Sequence, residues 1–238
     1  MFLLVTNFNF KYILYKLILP FFQLFDTGRM HPVRERAIRA LNKTVDYIDA
    51  NMPAAIGFET QKELISYALN KTEGCSGYYL EFGVFTGGTI RYMAKKKPNI
   101  IFHGFDSFEG LPEDWFGMPL IKSSFSLKGS LPKVPGNVTL HKGWFNEILP
   151  DWRRNNPDKV AFVHIDCDLY SSTIDILENL AERFQVGTII LFDEYFNYPN
   201  WENHEFKAWK EFVAKYGIHY QYIGYARQQV AVRITQLS

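Results

Sequence analysis

A strand that runs straight into a glycine-rich turn constrains this chain more than any other feature. Tyr79-Leu80-Glu81-Phe82-Gly83-Val84-Phe85-Thr86-Gly87-Gly88-Thr89 reads as an apolar strand ending on an acid, then a turn, then a helix. Glycines let the backbone pass close to a ligand, and the helix behind them offers free N–H groups. The same pattern also arises where tight packing is its whole purpose. The rest of the chain decides between the two.

Roughly twenty residues further, Ile100-Ile101-Phe102-His103-Gly104-Phe105-Asp106 is a second strand ending on an acid, where nucleotide-binding α/β folds take the two ribose hydroxyls. A third strand, Val138-Thr139-Leu140, leads to Gly143-Trp144-Phe145. A fourth, Ala161-Phe162-Val163-His164-Ile165, ends on Asp166-Cys167-Asp168, and a fifth, Thr188-Ile189-Ile190-Leu191-Phe192, on Asp193-Glu194. Acids therefore gather at the carboxyl ends of strands, the edge where open parallel sheets bind ligands. Solubility alone would scatter them over helix faces. A dinucleotide fits poorly, because Val84 and Phe85 fill the turn where a pyrophosphate needs glycines.

With those residues in place the chain resembles the class I S-adenosylmethionine-dependent methyltransferases. Within them it resembles the metal-dependent sugar O-methyltransferases of the macrocin O-methyltransferase (TylF/MycF/NovP-like) group. The resemblance covers about residues 58–235. It rests on Leu80-Glu81-Phe82-Gly83-Val84-Phe85-Thr86-Gly87-Gly88, on Gly104-Phe105-Asp106-Ser107-Phe108-Glu109-Gly110-Leu111-Pro112, on His164-Ile165-Asp166-Cys167-Asp168-Leu169-Tyr170-Ser171-Ser172-Thr173 and on Phe192-Asp193-Glu194-Tyr195. It implies a Rossmann-like α/β fold: a doubly wound, mostly parallel seven-stranded sheet with an antiparallel C-terminal hairpin. It also implies S-adenosylmethionine as cofactor. Backbone groups of Gly83, Phe85, Thr86 and Gly87 would meet its methionine end, and Glu81 its ammonium. Asp106 would take the ribose diol, with Ser107 beside the adenine. Trp144 and Phe145 are candidates for an aromatic wall, and equally for plain core packing.

Asp166 and Asp193-Glu194 fall on neighbouring strand ends if strand four, a helix and strand five form one β-α-β unit. Carboxylates converging at one edge repel one another unless something neutralises them, and Mg²⁺ takes hard oxygen ligands. By the resemblance, Asp166, Asp193 and Glu194 are carried over as metal ligands. The metal would lower the pKa of an acceptor hydroxyl, and Asp166 or Asp168 would remove its proton. The group's usual pair after strand five is Asp-Asp. Here Glu194 replaces the second, which weakens its claim and keeps open a metal-independent base at His164, Asp168 or His204. Tyr195, Tyr198 and Trp201 follow at once, interleaved with hydrogen-bonding groups, and are candidate contacts for a sugar-like or diol-containing small-molecule acceptor. Two other readings compete. One is a metal-dependent glycosyltransferase using Asp166-Cys167-Asp168 for a nucleotide sugar. The other is a methyltransferase fold that only binds partners.

Composition narrows the rest. A chain of 238 residues with net charge +1 suits one α/β domain and argues against a nucleic-acid partner, which selects a basic face. Cys75 and Cys167 make no disulfide framework, which fits a reducing, cytoplasmic setting. Residues 1–29 form a hydrophobic extension whose Ile13, Leu14, Leu17, Ile18, Phe21 and Phe22 follow helical spacing across Pro20. It lacks a secretory cleavage pattern and its apolar runs are too short to span a bilayer. A docking helix, an interfacial membrane anchor over residues 1–25, a homodimer contact and a misassigned start remain open for it. Residues 30–77 read as N-terminal helices, a lid in the family resembled, and 78–238 as the methyltransferase domain. Residues 109–135 show no period; a loop that long inside a compact domain is usually functional.

Overall fold

The computed structural model describes residues 31–238. The readings attached to the hydrophobic extension lie outside the described residues. The larger compact unit runs from Ala40 to Ser238. The helices are α1 (Pro32–Asn51), α2 (Gln61–Asn70), α3 (Gly88–Lys96), α4 (Phe145–Asn155), α5 (Tyr170–Leu180) and α6 (Glu205–Tyr216). The strands are β1 (Ile56–Gly57), β2 (Tyr78–Phe82), β3 (Phe102–Asp106), β4 (Val138–Lys142), β5 (Val160–Ile165), β6 (Ile189–Phe192), β7 (His219–Ala226) and β8 (Gln229–Gln236). Among the described residues, no helix is long and apolar enough to cross a membrane.

One 8-stranded sheet carries the fold, in the order β1-β7-β8-β6-β5-β2-β3-β4. Every neighbouring pair is parallel except those made by β8, which runs antiparallel to both β6 and β7. The expected doubly wound sheet with a closing hairpin is thus what forms, with one strand more. That strand is β1, which pairs Ile56 and Gly57 with Gly224 and Tyr225. Two residues are too few for alternation to show in a sequence. Side chains point alternately to the two faces, and both faces are covered. Leu80, Phe82, Val163, Ile165, Ile190 and Phe192 join one core with α5 and α6. Tyr79, Phe102, Phe162, Ile189 and Leu191 join the other with α2 and α3. All six residues of β5 are buried, as a central parallel strand requires.

Local chemistry sets the helix starts. Thr60 caps α2 in a reciprocal box: its Oγ1 accepts the Glu63 N–H at 3.3 Å while Glu63 Oε2 accepts the Thr60 N–H at 2.9 Å. Gly87 opens α3 at φ 79°, where a side chain would be strained.

The outer strands hold a histidine pair. His103 on β3 and His141 on β4 stack with centroids 5.3 Å apart, and His103 Nδ1 lies 3.0 Å from His141 Nε2. Phe105 stacks on His141 at 4.5 Å and Trp152 meets it edge-on. One nitrogen must donate and the other accept, so both rings cannot be protonated in this arrangement. Burial lowers both imidazoles, and for His141 the neighbouring His103 adds to it, down to about 4. In the unfolded chain both rings take protons below about pH 6.5. The stability this pair contributes is therefore present at neutral pH and lost as pH falls from about 6.5 toward 4. The rings are only half-buried, so the loss is on the order of 1 kcal/mol. Urea midpoints measured between pH 7 and 4.5 should fall less steeply for His141→Gln than for the unaltered protein; equal slopes would exclude the pair as the source.

Candidate functional site

The carboxyl ends of β2, β3, β5 and β6 are stitched together by backbone and carboxylate bonds. Gly83 N–H donates to Phe105 O at 3.0 Å, Asp166 N–H to Phe82 O at 2.8 Å and Asp193 N–H to Ile165 O at 2.9 Å. Gly83 sits at φ +91°, and a Cβ there would land on the Asp166 carbonyl oxygen. Only glycine lets the turn and the acidic loop pass this close.

Asp106 shapes the turn. Its Oδ2 accepts the N–H groups of Val84 at 2.8 Å and Phe85 at 2.7 Å, and its Oδ1 that of Phe108 at 2.6 Å. Phe85 is held at φ 44° and Phe108 at φ 57°. These bonds offset the strain of the left-handed conformation at both residues. Asp106 lines the cavity described below, but both its oxygens already serve the backbone, so its first role is to build the turn.

A cavity of about 660 Å³ opens along this edge. Gly83, Phe85, Thr86, Asp106, Ser107, Trp144 and Phe145 all line it, from the cofactor set expected from sequence. Gly87 caps the helix behind the wall, and Glu81 does not reach the cavity. Phe85 and Phe125 meet edge-to-face at 5.6 Å, both partly exposed. The long loop after β3 also supplies Gly110, Leu111, Pro112, Glu113 and Trp115. It is fastened to itself, with the Leu111 N–H on Ser124 O at 3.0 Å and the Leu127 N–H on Phe108 O at 3.0 Å. Helices α1 and α2, expected as a lid, contribute no lining residue from Ala40 onward.

Two overlapping clusters of ligand-type groups meet at the cavity floor, each with its ligand atoms within 4.8 Å of one another: Asp166, Asp168 and Glu194, and His164, Asp166 and Asp193. Only the first faces the cavity with all its members. Burial pushes the carboxyls of Asp166 and Glu194 well up, with the charge of Asp193 adding to it, and lifts Asp168 to about 7. Glu194 Oε2 is buried without a hydrogen-bond partner. Three crowded carboxyls and one orphaned oxygen are the donor set of a hard divalent cation, so the residues fit Mg²⁺.

Asp193 and Glu81 are occupied elsewhere. Register places Glu81 on β2 opposite His164 on β5. Glu81 Oε1 lies 3.1 Å from His164 Nδ1, and Asp193 Oδ1 3.4 Å from His164 Nε2. Asp193 also accepts from the Gln61 and Gln229 side-chain amides. Against the burial that acts on both, these bonds raise the imidazole of His164 well above its ordinary value and hold Asp193 low. Both acids thus favour a proton on the buried His164, while burial raises the Glu81 carboxyl. Tyr195, Tyr198 and Trp201 are 0%, 3% and 3% exposed and do not line the cavity. The Tyr195 hydroxyl meets Tyr222 Oη at 2.7 Å, Tyr198 donates to Glu194 O at 3.1 Å, and Trp201 packs on Phe206 at 4.7 Å. Their rings fill core. His204 is buried 6.0 Å from the Trp115 ring, also off the cavity wall.

Sequence reasoning missed Glu205. Fully buried at the start of α6, it accepts the Cys167 N–H at 3.4 Å and the Glu194 N–H at 3.1 Å, one on each oxygen. It thereby joins the two acidic loops. An acid in a first helical turn is ordinary, and nothing in the sequence marks this one as buried. Glu205→Ala should leave both N–H groups without an acceptor and lower stability by about 2 kcal/mol, with Glu205→Gln costing less. Chemical denaturation reads both; an alanine variant as stable as the parent would remove the bridge from this account.

A parallel sheet ending in a glycine turn, a nucleoside-sized cavity and an acidic floor define the class I methyltransferase fold. Solved structures agree on that fold. The calicheamicin methyltransferase CalS11 matches with a TM-score of 0.60 at 19% identity, over 84% of this chain and 91% of that one. The O-methyltransferase NovP matches at 0.56 and 24% identity, over 74% and 80%. Residues 133–226 match the macrocin-O-methyltransferase (TylF) family. Among characterised relatives, the 8-demethyl-8-(2,3-dimethoxy-alpha-L-rhamnosyl)-tetracenomycin-C 4'-O-methyltransferase of Streptomyces olivaceus is 29% identical over 52% of this chain and 54% of its own length. The demethyldecarbamoylnovobiocin O-methyltransferase of Streptomyces niveus is 32% identical over 60% of each. The chain thus spans little more than half the length of these relatives.

Proposed function

We propose that this protein is an S-adenosylmethionine-dependent O-methyltransferase, assisted by Mg²⁺, that acts on a hydroxyl of a sugar or another small polyhydroxylated acceptor. One observation carries the reading: a single cavity runs from the glycine turn at Gly83 to the carboxyls of Asp166, Asp168 and Glu194. Its volume suits a nucleoside cofactor with a small acceptor beside it. The names of the two Streptomyces relatives point to O-methylation in the same way.

S-adenosylmethionine supplies an electrophilic methyl group on a sulfonium. Mg²⁺, held by Asp166 and Glu194 with Asp168 beside them, supplies the charge that makes an acceptor hydroxyl more acidic. The chain does the rest. The turn from Gly83 to Thr86 and the wall of Trp144 and Phe145 seat the cofactor. An Asp168 carboxylate oxygen on the cavity wall takes the hydroxyl proton as general base. Glu205 keeps the loops bearing Asp168 and Glu194 in register. The loop carrying Leu111 and Trp115 closes the wall and excludes water.

Calorimetry should show S-adenosylhomocysteine binding to the folded protein, and its absence would end the methyltransferase reading. EDTA should stop methyl transfer and Mg²⁺ restore it; full turnover in EDTA would remove the metal. Asp168→Asn should retain S-adenosylhomocysteine binding yet lose about 10²-fold or more in kcat.

A further inference from the structure

A second cavity, of about 320 Å³, shares no lining residue with the first. It opens between the end of α1, Lys210 on α6, and Tyr220 and Tyr222 on β7. Four phenols meet around Tyr222, which lines this cavity and is 8% exposed. Tyr222 Oη lies 2.6 Å from Tyr47 Oη, 2.7 Å from Tyr195 Oη and 3.1 Å from Tyr220 Oη. A hydroxyl has one proton and two lone pairs, so Tyr222 donates to one neighbour and accepts from the other two. Tyr195 is fully buried, and among the described residues its hydroxyl bonds to Tyr222 alone. It must therefore be one of the two that donate, or its own O–H would be buried without an acceptor. Tyr222 then donates to Tyr47 or to Tyr220, and whichever receives that proton keeps its own O–H free. Both of those side chains line the cavity.

Lys210 adds donors of its own. Its Nζ donates to Tyr220 Oη at 3.2 Å, which uses one of an ammonium's three N–H groups. Among the described residues Lys210 makes no ion pair, and no acidic side chain lines the cavity. Met52, Pro53 and Ala54 add apolar surface to the wall. We propose that this cavity is a second binding site, for a small organic acid. The carboxylate takes the Lys210 ammonium and the spare phenol O–H, and the apolar body covers Met52, Pro53 and Ala54. A carboxylate only accepts and carries a single charge, which matches one ammonium and a surplus of donors. A phosphate brings no apolar surface to that wall. The volume lies at the small end of ligand cavities, about 300–1,000 Å³, so the acid is a small one.

The test is a calorimetric titration of the full chain at physiological salt with three probes: benzoate, its neutral counterpart benzyl alcohol, and inorganic phosphate. Benzoate should bind about tenfold or more tighter than benzyl alcohol, because its carboxylate makes charge-assisted bonds that the alcohol lacks. Phosphate should bind more weakly than benzoate. Lys210→Met removes the ammonium and keeps much of the side-chain volume, so it should bring benzoate down to the level of benzyl alcohol. The urea midpoint of that variant, expected to match the parent's, shows that the fold is intact. Equal affinity of the parent for benzoate and benzyl alcohol overturns the proposal, as does a parent that binds no benzoate. Phosphate bound as tightly as benzoate overturns it too, because the apolar wall then contributes nothing. A benzoate preference that survives in Lys210→Met places the acid elsewhere and equally overturns it. Neither S-adenosylmethionine nor Mg²⁺ enters the experiment, so its outcome is independent of the methyltransferase reading.

Discussion

The bonds from Asp106 to the N–H groups of Val84, Phe85 and Phe108 are the constraint on which the rest of the site depends. A turn with non-glycine residues at positive φ has no intrinsic reason to persist. A carboxylate that accepts three N–H groups at once supplies one. It couples the end of β3 to the turn after β2 and to the start of the long loop. The cavity wall made by Phe85 and by the loop bearing Leu111 and Trp115 follows from that coupling. Glu205 repeats the device at the other end of the site, where it joins the loops after β5 and β6. Asp106, which looks like a ligand contact in the sequence, and Glu205, which nothing in the sequence marks, both act first as staples for backbone.

The same economy explains how so many acids share one edge. His164 sits between Glu81 and Asp193: register puts Glu81 opposite it, and Asp193 reaches it from just past the end of β6. That pairing leaves Asp193 ionised and inward-facing while Asp166, Asp168 and Glu194 crowd at the cavity. Burial first, and then the charge of Asp193, raises those three carboxyls. The division between paired and unpaired acids is sharper than either the sequence or the fold class requires.

Strand pattern and turn chemistry made the sheet legible. The apolar runs before Asp106, Asp166 and Asp193 were bounded by acids and glycines, and they fold as β3, β5 and β6. Ile56 and Gly57 were not legible as a strand because two residues carry no period. At the site, the residues of the glycine turn and the acids after β5 could be read, because strand ends put them on one edge. Which side of the wall an acid faces could not. Glu81 and Asp193 are drawn to a histidine distant in sequence, Tyr195 and Trp201 are drawn into core by Tyr222 and Phe206, and Tyr198 packs against Trp115 and His204. An aromatic run after a functional acid reads the same whether it faces ligand or core. Only tertiary packing separates the two.

The close approach of Gly83 to the Asp166 carbonyl has a consequence for how such a protein can change over time. Position 83 admits no side chain while the acidic loop stays where it is. The loop cannot retreat without breaking the bond from the Asp166 N–H to Phe82 O. Glycine turn and acidic loop therefore form one inherited unit. Variation that retunes the site has to enter elsewhere, as at the exposed positions of the long loop, Phe116 and Ile121 among them.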